Sequence, residues 1–103
     1  MSPYVVTVEM VVEPELATTE PEQWYAHHAE QVSRIPGVTK VERYWSVDEE
    51  GAPRHLALYH VTEPPAVMAL RFAQAKEEGR LSGSPFASRI QRGYRLQSVL
   101  GVD

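Results

Sequence analysis

Proline divides this chain into segments that alternate between strand and helix periodicity. Glu13-Pro14 ends a first strand pattern, Pro36-Gly37 ends a first helical pattern, and Pro64-Pro65 opens a second one. Each position marks an element boundary, because proline lacks a backbone N–H and disfavours a helical conformation in the residue before it. The order of the segments therefore limits the folds that the chain can adopt.

Six main elements are predicted from these boundaries. The strands are expected at residues 4–13, 38–47, 55–62 and 94–100, the helices at residues 19–35 and 63–78, and a short helical turn at residues 86–90. The polar stretch 48–53 is typical of a hairpin turn, so the second and third strands should pair antiparallel. Thr19 and Glu22 have the spacing of a capping box at the start of the first helix.

The order βαββαβ predicts an α+β, ferredoxin-like fold in a single domain, residues 1–103, with two helices on one face of a four-stranded antiparallel sheet. On the first strand, Val6, Val8 and Met10 share an apolar face that should meet the helices. The other face of the sheet is also expected to be apolar. The residues expected there are Val5, Val11, Ala57, Tyr59 and Val61. An apolar open face predicts that two sheets pair face to face, as a homodimer.

The composition excludes several classes of function. A net charge of −4 without a cluster of Lys and Arg is unlike a nucleic-acid-binding surface. Since the chain has no cysteine, disulfides, thiolate nucleophiles, Cys-bound zinc and iron–sulfur clusters are excluded. Adjacent histidines on a helix point in different directions, so His27 and His28 do not predict a metal site. The chain has no glycine motif of the kind that binds nucleotide phosphates. With no apolar run of membrane-spanning length and no secretory signal, we expect a cytoplasmic protein.

His28 is the leading candidate for chemistry. A helical projection places Trp24, Tyr25, Val32 and Ile35 on one stripe, with His28 near its centre. An imidazole directed at a core needs a partner, and its charge state changes near neutral pH. His28 is therefore predicted to be either a general acid or base, or a structural histidine held by a backbone carbonyl or a tyrosine hydroxyl.

The remaining candidates lie on the strands and the second helix. His60 is in phase with Leu56 and Leu58, and it would join His28 if that face is covered by helices. His55, at the start of the same strand, is expected to face solvent. His60, Tyr44 or Tyr59 would orient His28 or act as the oxyanion donor. The residues predicted to bind substrate are Trp24, Arg43, Trp45, Phe72 and Phe86. Arg43 would bind a carboxylate or an enolate, or would pair with Glu9.

The segment from His28 to Val38, with the sequence HAEQVSRIPGV, follows an aromatic-rich stretch of the first helix. In this it resembles the EthD-like branch of the dimeric α/β-barrel superfamily, in which a histidine precedes an apolar pattern closing in Ile/Leu-Pro-Gly. The resemblance covers the first half of the chain, and the second half matches only in layout. It implies a dimer with a pocket between the sheet and the helices. Relatives include polyketide cyclases, lactone isomerases and cofactor-free monooxygenases, and a haem role also occurs in the superfamily.

Three functions are predicted. The first is a cofactor-independent enzyme of the cyclase, isomerase or lyase type, with His28 transferring a proton of a hydrophobic aromatic or polyketide-like carbonyl compound. The second is a cofactor-free monooxygenase, in which the same base makes a carbanion that reacts with O₂. The third is a non-catalytic dimer that binds a small hydrophobic or aromatic ligand and uses His28 structurally. No cofactor is expected.

Overall fold

The structure is a computed structural model that describes residues 2–12, 19–47, 53–83, 87–98 and 101. The elements are β1 (Tyr4–Val12), α1 (Thr19–Ser33), β2 (Val38–Trp45), β3 (Arg54–Val61), α2 (Pro65–Glu77) and β4 (Ala87–Arg95). The strands form one sheet in the order β2-β3-β1-β4, and every neighbouring pair is antiparallel. The predicted α+β class and the βαββαβ order are confirmed.

The last strand differs from its prediction. A helical turn over residues 86–90 and a strand over residues 94–100 were expected, but β4 begins at Ala87 and ends at Arg95. It pairs with β1 along its whole length, from Val12 opposite Ala87 to Tyr4 opposite Arg95. This segment is polar and has no alternating apolar pattern, so its strand conformation depends on the backbone hydrogen bonds to β1.

The third strand presents the opposite faces from those predicted. In the register between β1 and β3, Val6 lies opposite Tyr59 and Val8 lies opposite Ala57. Residues directly opposite one another share a face of the sheet, so Ala57, Tyr59 and Val61 belong to the helix-covered face and are buried. Leu56, Leu58 and His60 lie on the open face. Both phases of this strand are apolar, and only its pairing with β1 decides which one is covered.

Each helix buries one apolar stripe against the sheet. On α1, Tyr25 and Val32 are buried, and Ile35 just beyond the helix completes the stripe. On α2, Met68, Phe72 and Ala75 are buried. The side chains therefore meet the valines, Met10 and Tyr59 of the covered sheet face in one apolar core.

The turn after α1 joins it to α2. Gly37 has a φ of +101°, a conformation that L side chains rarely adopt. Arg71 of α2 donates a hydrogen bond of 2.7 Å to the carbonyl of Pro36, and a Cβ at Gly37 would lie 2.9 Å from the sulfur of Met68. The glycine thus allows α2 to approach the end of α1. In the described part of the chain, neither helix has the length and apolar composition needed to cross a membrane.

Candidate active site

A cavity of about 280 Å³ lies between the covered face of the sheet and the two helices. Most of its lining is apolar, with side chains from both helices, from the sheet and from the loop after α2. These include Val8, Met10, Val32, Tyr59, Phe72 and Leu81. His28, Lys76, Ser82 and Gln91 also line it, and Tyr59 and Trp24 add a hydroxyl and an indole N–H to their aromatic surfaces. A largely apolar cavity with few polar groups is the usual form of a site for a small organic ligand.

His28 lies on the wall of this cavity, on the core-facing stripe of α1. Its ring is stacked on that of Trp24, with centroids 4.6 Å apart and an interplanar angle of 16°. The Nδ1 atom of His28 is buried. Tyr59 and Phe72 form the neighbouring wall and meet edge to face at 5.9 Å. The cavity therefore places an imidazole among aromatic rings.

A second and much smaller cavity, of about 10 Å³, lies behind the first. His28 and Tyr59 line both cavities, together with Val8 and Met10. The residues that line only the small cavity are mixed in polarity, and they include Arg43 and His55. His28 therefore stands between a space of ligand size and a small space of mixed lining.

His55 is the site residue that the sequence interpretation missed. Expected to face solvent, it is only 2% exposed. Its ring lies parallel to that of Tyr25, with centroids 4.1 Å apart, and the Trp45 ring meets it edge-on at 5.0 Å. Burial lowers the pKa of His55 from 6.5 to about 4, and the nearby Arg43 charge acts in the same direction. The side chain is therefore neutral at pH 7.

Arg43 is held by a carboxylate of α1. Its guanidinium donates to both oxygens of Glu22, at 2.8 and 3.1 Å, and the indole N–H of Trp45 donates to the same carboxylate. These hydrogen bonds lower the pKa of Glu22 to about 2, and the one from Arg43 has the largest effect. The expected pairing of Arg43 with Glu9 is wrong, since Glu9 lies opposite Leu56 on the open face of the sheet. The Thr19 side chain of the expected capping box lies outside the described residues.

Arg43 also approaches the buried histidine. Its Nη1 atom lies 3.5 Å from the Nε2 atom of His55. Glu22, Arg43 and His55 thus form a polar row that runs from the exposed end of α1 to the small cavity. We call these three residues the polar row.

His60 and Tyr44 lie on the other side of the sheet from His28. His60 Nε2 is 2.5 Å from one oxygen of Glu42, and the hydroxyl of Tyr44 donates to the other oxygen at 2.6 Å. The hydrogen bond from Tyr44, followed by that from His60, lowers the pKa of Glu42, and the same carboxylate raises the pKa of Tyr44. The expected placement of His60 in one pocket with His28 is wrong, because His60 shares the open-face phase of Leu58.

The structure therefore brings together only part of the predicted set. His28, Trp24, Tyr59 and Phe72 line the large cavity, and Arg43 and Trp45 lie beside His55 behind it. Phe86 is outside the described residues. His55 is in phase with Tyr59 on β3. It could have been predicted as a site residue only if the covered face of this strand were known. Among the described residues, no three His, Asp or Glu side chains form a group that could hold a metal ion.

No family model and no curated protein sequence matches this chain. Solved structures do match it. SnoaB, a cofactor-independent oxygenase from Streptomyces nogalater, is 18% identical with a TM-score of 0.67, over 95% of this chain and 97% of that one. The chain has the ferredoxin-like fold of the dimeric α/β-barrel proteins.

Two further structures share this dimeric α/β-barrel fold. A candidate monooxygenase from Shewanella loihica is 14% identical with a TM-score of 0.62, over 96% of this chain and 99% of that one. MhuD of Mycobacterium tuberculosis, a heme-degrader with two hemes in its active site, is 20% identical with a TM-score of 0.60, over 94% and 99% of the two chains. At identities this low, the structural likeness establishes the fold alone, and the function has to be argued from the site.

Proposed function

We propose that this chain is a small cofactor-independent monooxygenase whose base is His28 and whose substrate is a hydrophobic, enolisable ring ketone. The observation that carries the proposal is the position of His28, stacked on Trp24 at the wall of an apolar cavity. The likeness to the cofactor-independent oxygenase SnoaB supports this function for the fold. The EthD-like assignment remains a prediction from the segment that ends in Ile35-Pro36-Gly37.

The proposed reaction begins with proton transfer to His28. The base removes one proton from a CH₂ group activated by the ring ketone, and the resulting carbanion adds O₂. Protonation gives a hydroperoxide on that carbon, which loses water to leave a second carbonyl group. One O₂ is consumed and one H₂O is formed for each CH₂ oxidised. An apolar cavity favours this sequence, because it binds the delocalised carbanion and dissolved O₂ while it excludes competing water.

The size of the cavity fits a compact ligand. Its volume of about 280 Å³ is at the lower end of the range for ligand pockets. The rings of Trp24, Tyr59 and Phe72 offer stacking surfaces to a planar compound. Within the described lining, Lys76 is the one cationic side chain and no carboxylate is present. A ligand with an oxyanion or a carboxylate at one end is therefore favoured.

A haem-dependent function fits this cavity less well. A macrocycle with two propionates exceeds a space at the lower end of the ligand-pocket range, and Lys76 is the one cation of the described lining that could pair with them. One face of the His28 ring is covered by Trp24. No step of the proposed reaction involves haem, and hemin is a control ligand in the binding experiments below.

The cyclase or isomerase function uses the same first step without O₂. Since His28 is the base in both, oxygen consumption during turnover separates the two reactions. If the protein is instead a non-catalytic dimer, it should bind the same ring compounds without any turnover.

We also propose that the chain forms a homodimer through the open face of the sheet. Leu56 and Leu58 lie on this face, and Val5 and Val11 adjoin them on β1. The exposed Tyr94 of β4 lies opposite Val5 and extends the same surface. The apolar residues of this face form a patch that is stabilised when a second layer covers it.

The test of the proposed function compares two neighbouring histidines. The wild type is assayed with anthrone, a planar ring ketone with an activated CH₂ group, in an oxygen electrode and by product absorbance. His28→Ala should lower kcat at least about 100-fold, the usual contribution of a general base. His27→Ala, at an exposed position of the same helix, should leave kcat unchanged.

The outcomes separate the three functions. Full activity in folded His28→Ala would reject His28 as the base. Turnover of ring ketones without oxygen uptake would favour the isomerase class. Binding without turnover across a panel of enolisable ring ketones would favour the non-catalytic dimer.

A further inference from the structure

The small cavity next to His28 has the size of one water molecule, and several polar side chains stand on its otherwise apolar lining. Its volume of about 10 Å³ is close to the lower limit at which a cavity holds a single water. Polar side chains line it from three elements: His28 from α1, Arg43 from β2, and His55 with Tyr59 from β3. A buried water needs two to four polar partners, and cavities lined by apolar groups alone stay dry.

The orientation of His55 follows from its neighbour. A guanidinium donates hydrogen bonds and cannot accept them, so the Nε2 atom of His55 that faces Arg43 is the acceptor. Because burial keeps the ring neutral at pH 7, its single proton is on Nδ1. Glu22 fixes Arg43 from the far side. The polar row therefore holds His55 as an Nδ1–H donor.

We propose that the small cavity holds one ordered water, that His55 anchors this water through its Nδ1–H group, and that the same water accepts the buried Nδ1–H of His28. His55 is thereby a positioning residue: it acts on His28 through the water and does not touch the substrate. The role of His28 as base rests on the proposed function, whereas the water and the His28 tautomer do not.

The water decides which nitrogen of His28 reaches the substrate. With the proton held on the buried Nδ1 atom, the lone pair of the ring lies on Nε2, and Nε2 is the atom that accepts a proton. After proton transfer, the imidazolium still donates from its buried Nδ1 to the water oxygen, which stabilises the charge. The arrangement thus prepares the base before substrate binds.

The first experiment needs no substrate. Nitrogen-15 NMR of histidine-labelled protein at pH 7 should show His55 and His28 each as a single Nδ1–H tautomer. In His55→Phe, which keeps a ring to stack on Tyr25 but has no donor, His28 should become a mixture of tautomers. An unchanged His28 spectrum in folded His55→Phe would overturn the proposal. A crystal structure with a dry cavity at this position would overturn it as well.

A matched pair of variants separates positioning from packing. The amide of Asn overlaps the Nδ1 position of histidine, and the amide of Gln overlaps the Nε2 position. His55→Asn should therefore retain the water and the His28 tautomer, and His55→Gln should lose both. Identical spectra from these two variants would contradict the proposed donor. This comparison remains decisive if His55→Phe does not fold.

Kinetics with anthrone then connect the water to catalysis. His55→Gln should lower kcat about tenfold with little change in KM, the usual effect of removing an outer partner of a functional histidine. His55→Asn should restore most of that loss. A tautomer change without any change in kcat would mean that the water exists but that His28 is not the base. The two proposals therefore fail in different ways.

Discussion

Glu22 of α1 and Arg43 of β2 form a two-point ion pair, with nitrogen–oxygen distances of 2.8 and 3.1 Å. The pair joins the start of the first helix to the edge of the sheet, next to the buried His55. The Arg43 guanidinium lies 3.5 Å from the His55 imidazole and favours its neutral form, while the Glu22 carboxylate acts in the opposite direction. The stability of the fold and the protonation of the site are therefore linked through one contact.

Removing the carboxylate charge should weaken this contact. Glu22→Gln is expected to lower the free energy of unfolding by about 1 kcal/mol, the upper range for a partly exposed ion pair. Glu30→Gln, on the exposed side of the same helix, should change it by less than about 0.5 kcal/mol. Urea unfolding followed by tryptophan fluorescence measures both. Equal effects of the two substitutions would contradict a stabilising role for the pair.

Acid should destabilise the protein through His55. The pKa of His55 is about 4 in the folded chain, against 6.5 for an unperturbed histidine. Between pH 4 and 6.5 the unfolded chain therefore binds more protons than the folded one. The stabilisation from the neutral ring is complete above pH 6.5 and is lost as the pH falls towards 4, by an amount on the order of 2 kcal/mol. Unfolding free energies measured from pH 4 to 8 test this.

Two variants isolate that titration from other acid effects. His55→Phe has nothing to titrate at this position and should lose most of the slope between pH 6.5 and 4. His27→Ala should keep the slope of the wild type, because His27 is exposed. If His55→Phe follows the wild-type curve, the depressed pKa is not responsible.

Charge on the open sheet face should prevent dimer formation. Leu58→Lys would place an ammonium group in the centre of the proposed interface, where two copies would repel each other and lose apolar contact. Light scattering after gel filtration should show a monomer for this variant and a dimer for the wild type. Leu70→Lys, on the exposed side of α2, should remain dimeric. A monomeric wild type would reject the proposed interface.

Lys76 should select ligands that carry a negative charge. Lys76 takes part in none of the ion pairs among the described residues. Its Nζ atom lies beside Gly83 of the cavity lining, 3.7 Å from the position that a Cβ would occupy there. Lys76→Met should weaken binding of anthracene-9-carboxylate about fivefold and leave binding of neutral 9-methylanthracene unchanged.

Lys40 provides the control for that measurement. It is the other lysine of the chain and pairs with Glu42 on the far side of the sheet. Lys40→Met should affect neither ligand in a fluorescence titration. Equal weakening of both ligands by Lys76→Met would indicate lost packing and not charge recognition. Tighter binding of hemin than of either anthracene would overturn the cofactor-independent assignment.

The sequence predicts the helices better than the strands for a physical reason. On α1, the apolar stripe through Tyr25 and Val32 faces away from charged positions such as Glu30, so only one orientation buries it. On β3, Leu56 and Leu58 alternate with Ala57 and Tyr59, and either set could be covered. The choice depends on pairing with β1, which local pattern does not encode. His28 was found because it lies on a helix, and His55 was missed because it lies on that strand.

The strand register also separates two groups of polar side chains. Glu42, Tyr44 and His60 face one side of the sheet, while Glu22, Arg43 and His55 lie on the other. Backbone pairing between β2 and β3 keeps these groups from exchanging partners. Substrate preference and subunit association should therefore be independently mutable, which makes the chain a suitable scaffold for redesigning the pocket without altering the assembly.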